Sequence, residues 1–370
     1  MNAVDLTQEL VRIDTINPQS PEKPCAELAG RLLERAGFTV AFHDFAPGRT
    51  SVVARLPAAS PPLCFAGHLD TVPLGAAPWK HAALGGDLDG GKLFGRGSSD
   101  MKSGIAAMVS AALQLAKMPL RKAGLTLLLV AGEETGCEGA AHLARTAGAL
   151  GEASALIVGE PTGNVPVLGH KGALWLRARV RGITAHGSMP SMGVNAVVKA
   201  ARAVLALSNF RFEVLPDPLL GPPTLNIGTF HGGLNINSVP DEAEIGIDLR
   251  TVPAQRHAEL RRQIAEQLGK DIGLTTLVDL EGVRTSEEDP FVRVVRDEVA
   301  QVIGERVPPG SATYFTDASV LTKAYGGIPT VVLGPGEMAL CHQTDEYCRV
   351  DRIEQAVEAY LRIARAWCGA

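Results

Sequence analysis

The chain has 370 residues, of which 46% are hydrophobic and 20% are charged, so it can bury a full core and is not an intrinsically disordered protein. Its net charge is −5 and its Lys and Arg residues are spread out, which argues against a nucleic acid or an anionic membrane surface as a partner. The longest apolar run, near residues 125–130, is far shorter than the roughly 20 residues that a membrane span needs.

The cysteines and the N-terminus predict a cytoplasmic protein. The six cysteines are scattered without a Cys-x-x-Cys pair, which fits a compartment in which thiols stay reduced. The first residues include acids and no basic segment, which is not the pattern of a signal peptide.

Strands alternate with helices in the first half of the chain. The spacing of apolar residues predicts helices over 3–15, 25–36, 105–118 and 139–146. Short apolar runs predict strands over 38–45, 51–56, 63–66, 125–131 and 155–158. Because several of these strands lack polar alternation, they should be buried on both faces, which is typical of a doubly wound α/β domain built on a mixed sheet.

The pattern changes after residue 173, where alternating polar and apolar residues predict half-exposed antiparallel strands. The elements predicted there are strand 173–181, helix 194–207, strands 224–229 and 243–250, helix 255–268 and strand 275–280. This βαββαβ order is the ferredoxin-like unit. The α/β pattern then returns with helices 291–302, 317–324 and 350–367 and strand 330–333. We therefore predict one domain formed by residues 1–173 and 285–370, and a smaller domain, residues 174–284, inserted into it.

Acidic and histidine side chains follow the predicted buried strands and the loops between them. They are His68, Asp70, Asp100, Glu133, Glu134, Glu160 and His342. Each alone could be a solvated loop side chain, but in an open α/β sheet the carboxyl ends of the strands form the ligand-binding crevice. Five ligands from this set, two histidines and three of the carboxylates, would suit Zn²⁺, Co²⁺ or Mn²⁺. If two ions shared one carboxylate, the site would hold two metals roughly 3.5–4 Å apart.

The neighbouring residues Glu133 and Glu134 should divide two tasks between them. Adjacent side chains at a strand end point apart. One glutamate can therefore bind a metal while the other faces the attacking water as general base. Similarly, Asp70 shares a face with His68 and can sit behind that imidazole.

These segments together resemble the M20 metallopeptidases, a family of metal-dependent peptidases and deacylases, and the resemblance spans essentially the whole chain. The motifs that carry it are His68-x-Asp70, Gly95-Arg-Gly-Ser-Ser-Asp100-Met-Lys-Ser-Gly104, Gly132-Glu-Glu134-x-Gly136, Gly159-Glu160-Pro161 and His342-x-x-Asp-Glu346. The resemblance implies two divalent metal ions in each subunit, with Zn²⁺ expected first. It also implies a cis peptide between Asp100 and Met101.

The resemblance also implies a role for each site residue. His68, Asp100 and Glu160 would hold one ion. Asp100 would bridge to a second ion held with Glu134 and His342. Glu133 would be the general acid and base, and Asp70 would orient His68.

In the inserted domain, the resemblance implies that His186 stabilises the oxyanion in a neighbouring subunit's site and that Asn237 and Arg250 contact the substrate carboxylate. It therefore also implies a homodimer formed through this domain. A turn histidine and a solvated arginine are the alternatives that the residues alone leave open. A planar guanidinium, however, suits bidentate capture of a carboxylate.

The predicted activity is hydrolysis of the amide bond of an N-acyl amino acid, as in acetylornithine deacetylases, by water activated at the two-metal centre. A dipeptidase or a glutamate-type carboxypeptidase would use the same catalytic residues and is the first alternative. A protein on the same fold that binds amino acids without catalysis is a second alternative, against which the intact ligand set and Glu133 argue. The side-chain pocket has no readable motif, so the substrate rests on analogy.

Overall fold

The structure of the chain is a computed structural model that describes residues 2–120 and 122–370. The α-helices are α1 (Ala3–Arg12), α2 (Lys23–Arg35), α3 (Ser103–Leu115), α4 (Glu138–Arg145), α5 (Ala196–Ser208), α6 (His257–Leu268), α7 (Pro290–Ile303), α8 (Ala318–Ala324) and α9 (Val350–Cys368). Shorter helical turns lie at Ser98–Lys102, Pro190–Met192 and Met338–Leu340. Among the described residues, no helix combines the length and apolar character of a membrane span.

The strands of the first half are β1 (Thr39–Ala46), β2 (Arg49–Leu56), β3 (Ser60–His68), β4 (Leu88–Asp89), β5 (Lys92–Phe94), β6 (Ala123–Val130), β7 (Ala155–Val158), β8 (Val167–His170) and β9 (Gly172–Arg181). Those of the second half are β10 (Ala185–His186), β11 (Thr224–Gly232), β12 (Ser238–Val239), β13 (Glu242–Thr251), β14 (Ile272–Leu280), β15 (Val283–Arg284), β16 (Gly310–Ala312), β17 (Thr330–Val332) and β18 (Tyr347–Arg349).

The chain divides into two compact units. Unit 1 comprises the residues up to Gly169 together with Arg284–Ser311 and Thr316–Ala370, and unit 2 comprises His170–Val283 and Ala312–Phe315. The sequence predicts an insertion of residues 174–284, whereas unit 2 begins at His170 and also includes a short second piece, Ala312–Phe315. That piece is held by the backbone of Lys171, which donates to the carbonyl of Ala312, and by the ring of Phe315, which meets Trp175 edge-on at 6.1 Å.

Unit 1 is built on a nine-stranded mixed sheet, which confirms the predicted fold class. The strand order is β1-β2-β6-β3-β7-β17-β8-β15, with β16 paired to β8. The central strands β6, β3, β7 and β17 are parallel, whereas β1, β2 and β8 join them in antiparallel pairs. Strands β6 and β7 are buried along their whole length, as their mainly apolar sequences without polar alternation predict. Because β3, β6 and β7 run parallel, their carboxyl ends open at one edge of the sheet.

Helix α3 begins at that edge and is almost entirely buried. Its sequence is rich in Ala, and the glycine in its first turn, Gly104, lets that turn approach the end of β7 closely. A side chain at Gly104 would collide with the carbonyl oxygen of Gly159, so only glycine fits there. This contact places the start of α3 beside the loop that follows β7.

Unit 2 contains the predicted ferredoxin-like unit. Its four antiparallel strands have the order β11-β13-β9-β14, and α5 and α6 supply the helices of the βαββαβ pattern. The apolar residues of β13 alternate with half-buried polar ones, and the apolar set packs with α5 and α6 in one core. The alternation predicted for β9 and β13 is therefore confirmed.

Candidate metal centre

The carboxyl edge of the unit 1 sheet carries the predicted ligands. His68 is the last residue of β3, Glu133 and Glu134 follow β6, and Glu160 follows β7. Asp100 lies in the helical turn before α3, where its peptide bond to Met101 is cis, as predicted. His342 follows the turn Met338–Leu340.

Asp100 stands between two groups of side chains. Its Oδ1 atom lies 3.1 Å from Nε2 of His68, and Oε1 of Glu160 lies 3.7 Å from the same nitrogen. Its Oδ2 atom lies 3.5 Å from Nε2 of His342, which is 3.2 Å from Oε1 of Glu134. One carboxylate thus directs one oxygen to each group, which is the arrangement of a bridging ligand.

The spacing and chemistry of these atoms fit divalent cations. Ligand atoms at 2.0–2.1 Å from a tetrahedral ion lie about 3.3–3.4 Å apart, close to the separations found in both groups. One ligand atom each from His68, Asp100 and Glu134 lies within 4.8 Å of the others. The Oε1 atom of Glu160 is buried and has no hydrogen-bond partner among the described residues, so it needs a cation or a proton beside it.

The buried carboxylates make this edge strongly negative. Burial raises the pKa of Glu160 to about 8 and also raises the pKa of Glu134. Burial opposes the charged form of His68, yet the charge of Glu160 and the hydrogen bond to Asp100 raise the pKa of His68 well above its usual value. Hydrogen bonds with Asp100 and Glu134 raise the pKa of His342 to about 10. Because ligand atoms must be deprotonated, a metal ion would displace protons here and supply the positive charge instead.

Asp70 organises the loop that carries the two glutamates. Its buried carboxylate accepts hydrogen bonds from the backbone N–H groups of Gly132, Glu133 and Glu134 at 2.8–3.1 Å and from the side-chain amide of Asn17. The contact of Asp70 with His68 is made by its backbone instead, since its carbonyl oxygen lies 3.0 Å from Nδ1 and its nearest carboxylate oxygen 3.6 Å away. Asp70 therefore holds His68 through the main chain and the glutamate loop through the side chain.

Glu133 lies outside both groups of potential ligands. Its side chain is buried, and burial together with the charge of Glu160 raises its pKa well above the usual value. The thiol of Cys137 lies 4.0 Å from its Oε1 atom. A further buried carboxyl, that of Asp317, has no hydrogen-bond partner among the described residues, and burial raises its pKa to about 7. The surroundings of Glu133 thus differ from those of Glu134, which lies 3.2 Å from His342.

Four polar residues buried around this centre have no role predicted from the sequence: Asn17, Arg96, Asp317 and Glu346. Arg96 and Glu346 lie inside two of the motifs that resemble the M20 family. Their position in those motifs was the sequence signal that could have identified them. Asn17 and Asp317 follow no predicted strand, and their contacts depend on distant parts of the chain.

The remaining predicted residues, His186, Asn237 and Arg250, belong to unit 2. His186 is exposed on β10, and its Nδ1 atom lies 2.7 Å from the hydroxyl of Ser188 and accepts the Ser188 backbone N–H at 3.2 Å. The proton of the neutral ring is therefore on Nε2, which faces away as a donor. The backbone N–H of Gly187 donates to the carbonyl of Asn237 at 2.7 Å, so these two segments lie side by side.

Arg250 is a partly buried, paired residue on β13. Its Nε atom lies 3.0 Å from the carboxylate of Asp248, which also accepts from the indole N–H of Trp175 at 2.9 Å. Its guanidinium lies 5.8 Å from the centre of the Trp175 ring. These contacts fix the Nε side of the guanidinium and leave its two terminal nitrogens as the edge suited to a second carboxylate.

Comparison with known proteins supports the resemblance noted in the sequence. The acetylornithine deacetylase of Myxococcus xanthus is 31% identical over 98% of this chain and 96% of its own length. The probable succinyl-diaminopimelate desuccinylase of Staphylococcus epidermidis is 29% identical over 98% of this chain and 97% of its own length. The Bacillus subtilis YXEP protein, a dinuclear metal binding peptidase from the M20 family, has the same fold, with a TM-score of 0.74, 15% identity and coverage of 99% and 98% of the two chains.

The family model described as peptidase family M20/M25/M40 matches residues 64–366. This range includes the potential ligands of unit 1 and the whole of unit 2. The chain therefore belongs to peptidase family M20/M25/M40 and is a metal-dependent hydrolase of that family.

Proposed function

We propose that this hydrolase removes the acyl group from an N-acyl amino acid, with an N-acetylated amino acid of the acetylornithine type as the first candidate. The observation that carries the proposal is the Asp100 carboxylate shared by two groups of ligand atoms beside the buried Glu133. The two named relatives are 31% and 29% identical, so overall similarity leaves both acetyl and succinyl substrates in contention. A dipeptidase or carboxypeptidase activity on the same centre is the alternative.

In this proposal, His68, Asp100 and Glu160 hold one ion, and Asp100, Glu134 and His342 hold another. Zn²⁺ is the first candidate because it takes nitrogen and carboxylate ligands in small groups, and Co²⁺ and Mn²⁺ suit the same donors. When bound, such ions lower the pKa of water and polarise the amide carbonyl. The chain's own residues then place the substrate and move the proton.

Glu133 is the proton carrier in this scheme. It takes a proton from the attacking water and gives it to the nitrogen of the departing amine, so one residue serves as base and then as acid. Its raised pKa supports the role, because a carboxyl with an ordinary pKa would be a poor acid near neutral pH. The neighbouring Glu134 stays ionised as a ligand.

The remaining roles in this proposal belong to three residues of unit 2: His186, Asn237 and Arg250. The Nε2–H group of His186 donates to the oxygen that becomes negatively charged when the carbonyl is attacked. Asn237 and the terminal nitrogens of Arg250 receive the substrate carboxylate.

We infer that a second copy of the chain supplies His186, through a homodimer formed by unit 2. Strands β11 and β14 are the two edges of the unit 2 sheet, and a strand edge favours pairing with another chain. Large apolar side chains are also exposed near the segments of His186 and Asn237: Met192 is 73%, Leu234 98% and Ile236 104% exposed. Apolar exposure of this kind marks an interaction surface. We also propose a cytoplasmic location. The six cysteines are free thiols in the structure, which fits a compartment in which thiols stay reduced.

A substrate screen tests the reaction. With Zn²⁺ or Co²⁺ added, we expect N-acetyl amino acids, N-acetylornithine among them, to be hydrolysed faster than N-succinyl amino acids and dipeptides, as measured by release of free amine. Faster cleavage of dipeptides would replace the proposal with the peptidase alternative. Loss of amide hydrolysis in every class with both metals would favour a protein that binds amino acids without catalysis.

Metal content tests the shared ligand. Asp100→Asn should reduce the bound metal from two ions per chain to less than one, because both sites lose a charged ligand. His342→Ala should retain one ion, since only one group contains His342. Elemental analysis after dialysis measures both values, with His231→Ala, an exposed histidine of unit 2, as the control. Two ions retained by Asp100→Asn would contradict the bridging role.

Replacement of the proton carrier tests the assignment of Glu133. Glu133→Gln should keep both ions while kcat falls by roughly 10²–10⁴-fold, the usual contribution of a positioned acid and base. Steady-state kinetics on the metal-loaded protein checks the value. Glu152→Gln, which changes an exposed glutamate of unit 1, should keep wild-type kcat. Near-normal turnover of a fully loaded Glu133→Gln variant would remove Glu133 from the mechanism.

Mixing two inactive variants tests the dimer. Glu133→Gln and His186→Ala should each be nearly inactive alone. If His186 serves the partner's site, a heterodimer of the two variants contains one intact site, and its activity should recover toward half of the wild-type value. A mixture of Glu133→Gln with Asp100→Asn is the matched control, since both changes lie in unit 1 and neither site is repaired. An absence of recovery after verified subunit exchange would mean that His186 acts within its own chain or has no catalytic part.

A further inference from the structure

The ion pair of Arg96 and Glu346 is buried beside the metal centre of unit 1. The two side chains are 1% and 0% exposed, and Nη1 of Arg96 donates to Oε2 of Glu346 at 2.6 Å. Removing both charges from water is costly, so a buried pair is kept only when further hydrogen bonds satisfy it. Here those hydrogen bonds lead to the two segments that carry Asp100 and His342.

Glu346 holds the backbone at Asp100. Its Oε1 atom accepts the backbone N–H groups of Ser99 at 2.8 Å and of Asp100 at 3.0 Å. The main chain of Glu346 is fixed as well, because its carbonyl accepts the N–H of Gly95 at 2.9 Å and β18 pairs with β5 in the adjoining residues. The carboxylate thus sets the position of the bridging residue through the peptide groups on either side of Ser99.

Arg96 holds the segment of His342. It donates to the carbonyl of Gln343 at 3.2 Å and to that of Pro73 at 3.2 Å, with a longer contact of 3.4 Å to the carbonyl of His342. Its guanidinium also lies 5.2 Å from the centre of the Trp79 ring. Only a planar guanidinium can reach the carboxylate and several carbonyl groups at once.

The His342 segment has particular need of such support. His342 has a φ of +64° and Asp345 a φ of +58°, a region that residues with a side chain rarely adopt. The His342 side chain is 52% exposed, whereas that of His68 on the opposite group is 1% exposed. His68 is held by a buried strand, but His342 follows only a short helical turn. Its position therefore depends on contacts made by its backbone.

We propose that Arg96 and Glu346 are positioning residues that set the separation of Asp100 and His342, and thereby the affinity of the ion held by Asp100, Glu134 and His342. The proposal rests on the ligand assignment of the proposed function but not on its substrate. The ion held by His68, Asp100 and Glu160 depends less on the pair, because two of these three ligands end buried strands. The two sites should therefore respond differently when the pair is altered.

The test measures Zn²⁺ binding without substrate, by competition with a chromophoric chelator. Arg96→Lys keeps the charge and loses the fork of donors, and Glu346→Gln keeps the shape and loses the charge. In each variant we expect the Zn²⁺ affinity of the site that His342→Ala abolishes to fall by about 10–100-fold, the usual effect of altering a residue behind a metal ligand. The affinity of the other site should change by less than about threefold. The double variant should bind Zn²⁺ about as well as either single variant, since the two residues act as a unit.

Arg362→Lys is the matched control, because Arg362 pairs with Glu298 between α9 and α7 at 2.9 Å and should leave both affinities unchanged. Two unchanged affinities in folded Arg96→Lys and Glu346→Gln would overturn the proposal, as would an equal loss at both sites. If one variant does not fold, the other decides. Failure of both to fold would also overturn it, because the pair would then support unit 1 as a whole. These results stand apart from the substrate screen, whose failure would leave the Zn²⁺ affinities readable.

Discussion

Crowded negative charge at the carboxyl edge of one sheet is the constraint on which the rest of the centre depends. Asp100, Glu134 and Glu160 share this edge with Glu133, and burial acts against the charged form of every one of them. Such a group of carboxyls is tolerable only if protons or cations accompany it. The hydrogen bonds around these carboxyls therefore fix the positions of the groups more than they stabilise the fold. They keep like charges at fixed distances that an ion can bridge.

The sequence was sufficient to place those proposed ligands that follow strands. His68, Glu134 and Glu160 could be assigned to one edge because three apolar runs end beside them and parallel strands end together. The ferredoxin-like order of unit 2 could be read from alternating polarity. The supporting residues could not be predicted in this way. Short strands such as β5 and β18 have three residues each, and their pairing depends on chain segments that no local pattern connects.

Asp70 illustrates why the spacing of two residues does not determine the contacts that each side chain makes. Its spacing from His68 suggested a carboxylate behind an imidazole, and the His68 contact is present through the carbonyl. The carboxylate itself is turned to three backbone N–H groups of the glutamate loop. Spacing along a strand identifies which residues share a face, but the competition among nearby donors decides which of them a side chain binds.

The contacts of Asn17 show that residues outside the range of the family model, 64–366, also support the candidate metal centre. Asn17 binds the Asp70 carboxylate, its backbone N–H donates to the carbonyl of Thr71, and the buried amine of Lys102 donates to the carbonyls of Leu10 and Ile13. An expression fragment begun at the family boundary would contain every proposed ligand and Asp70, yet it would lack Asn17, which donates to the Asp70 carboxylate. The useful boundary for a minimal catalytic fragment therefore lies before α1.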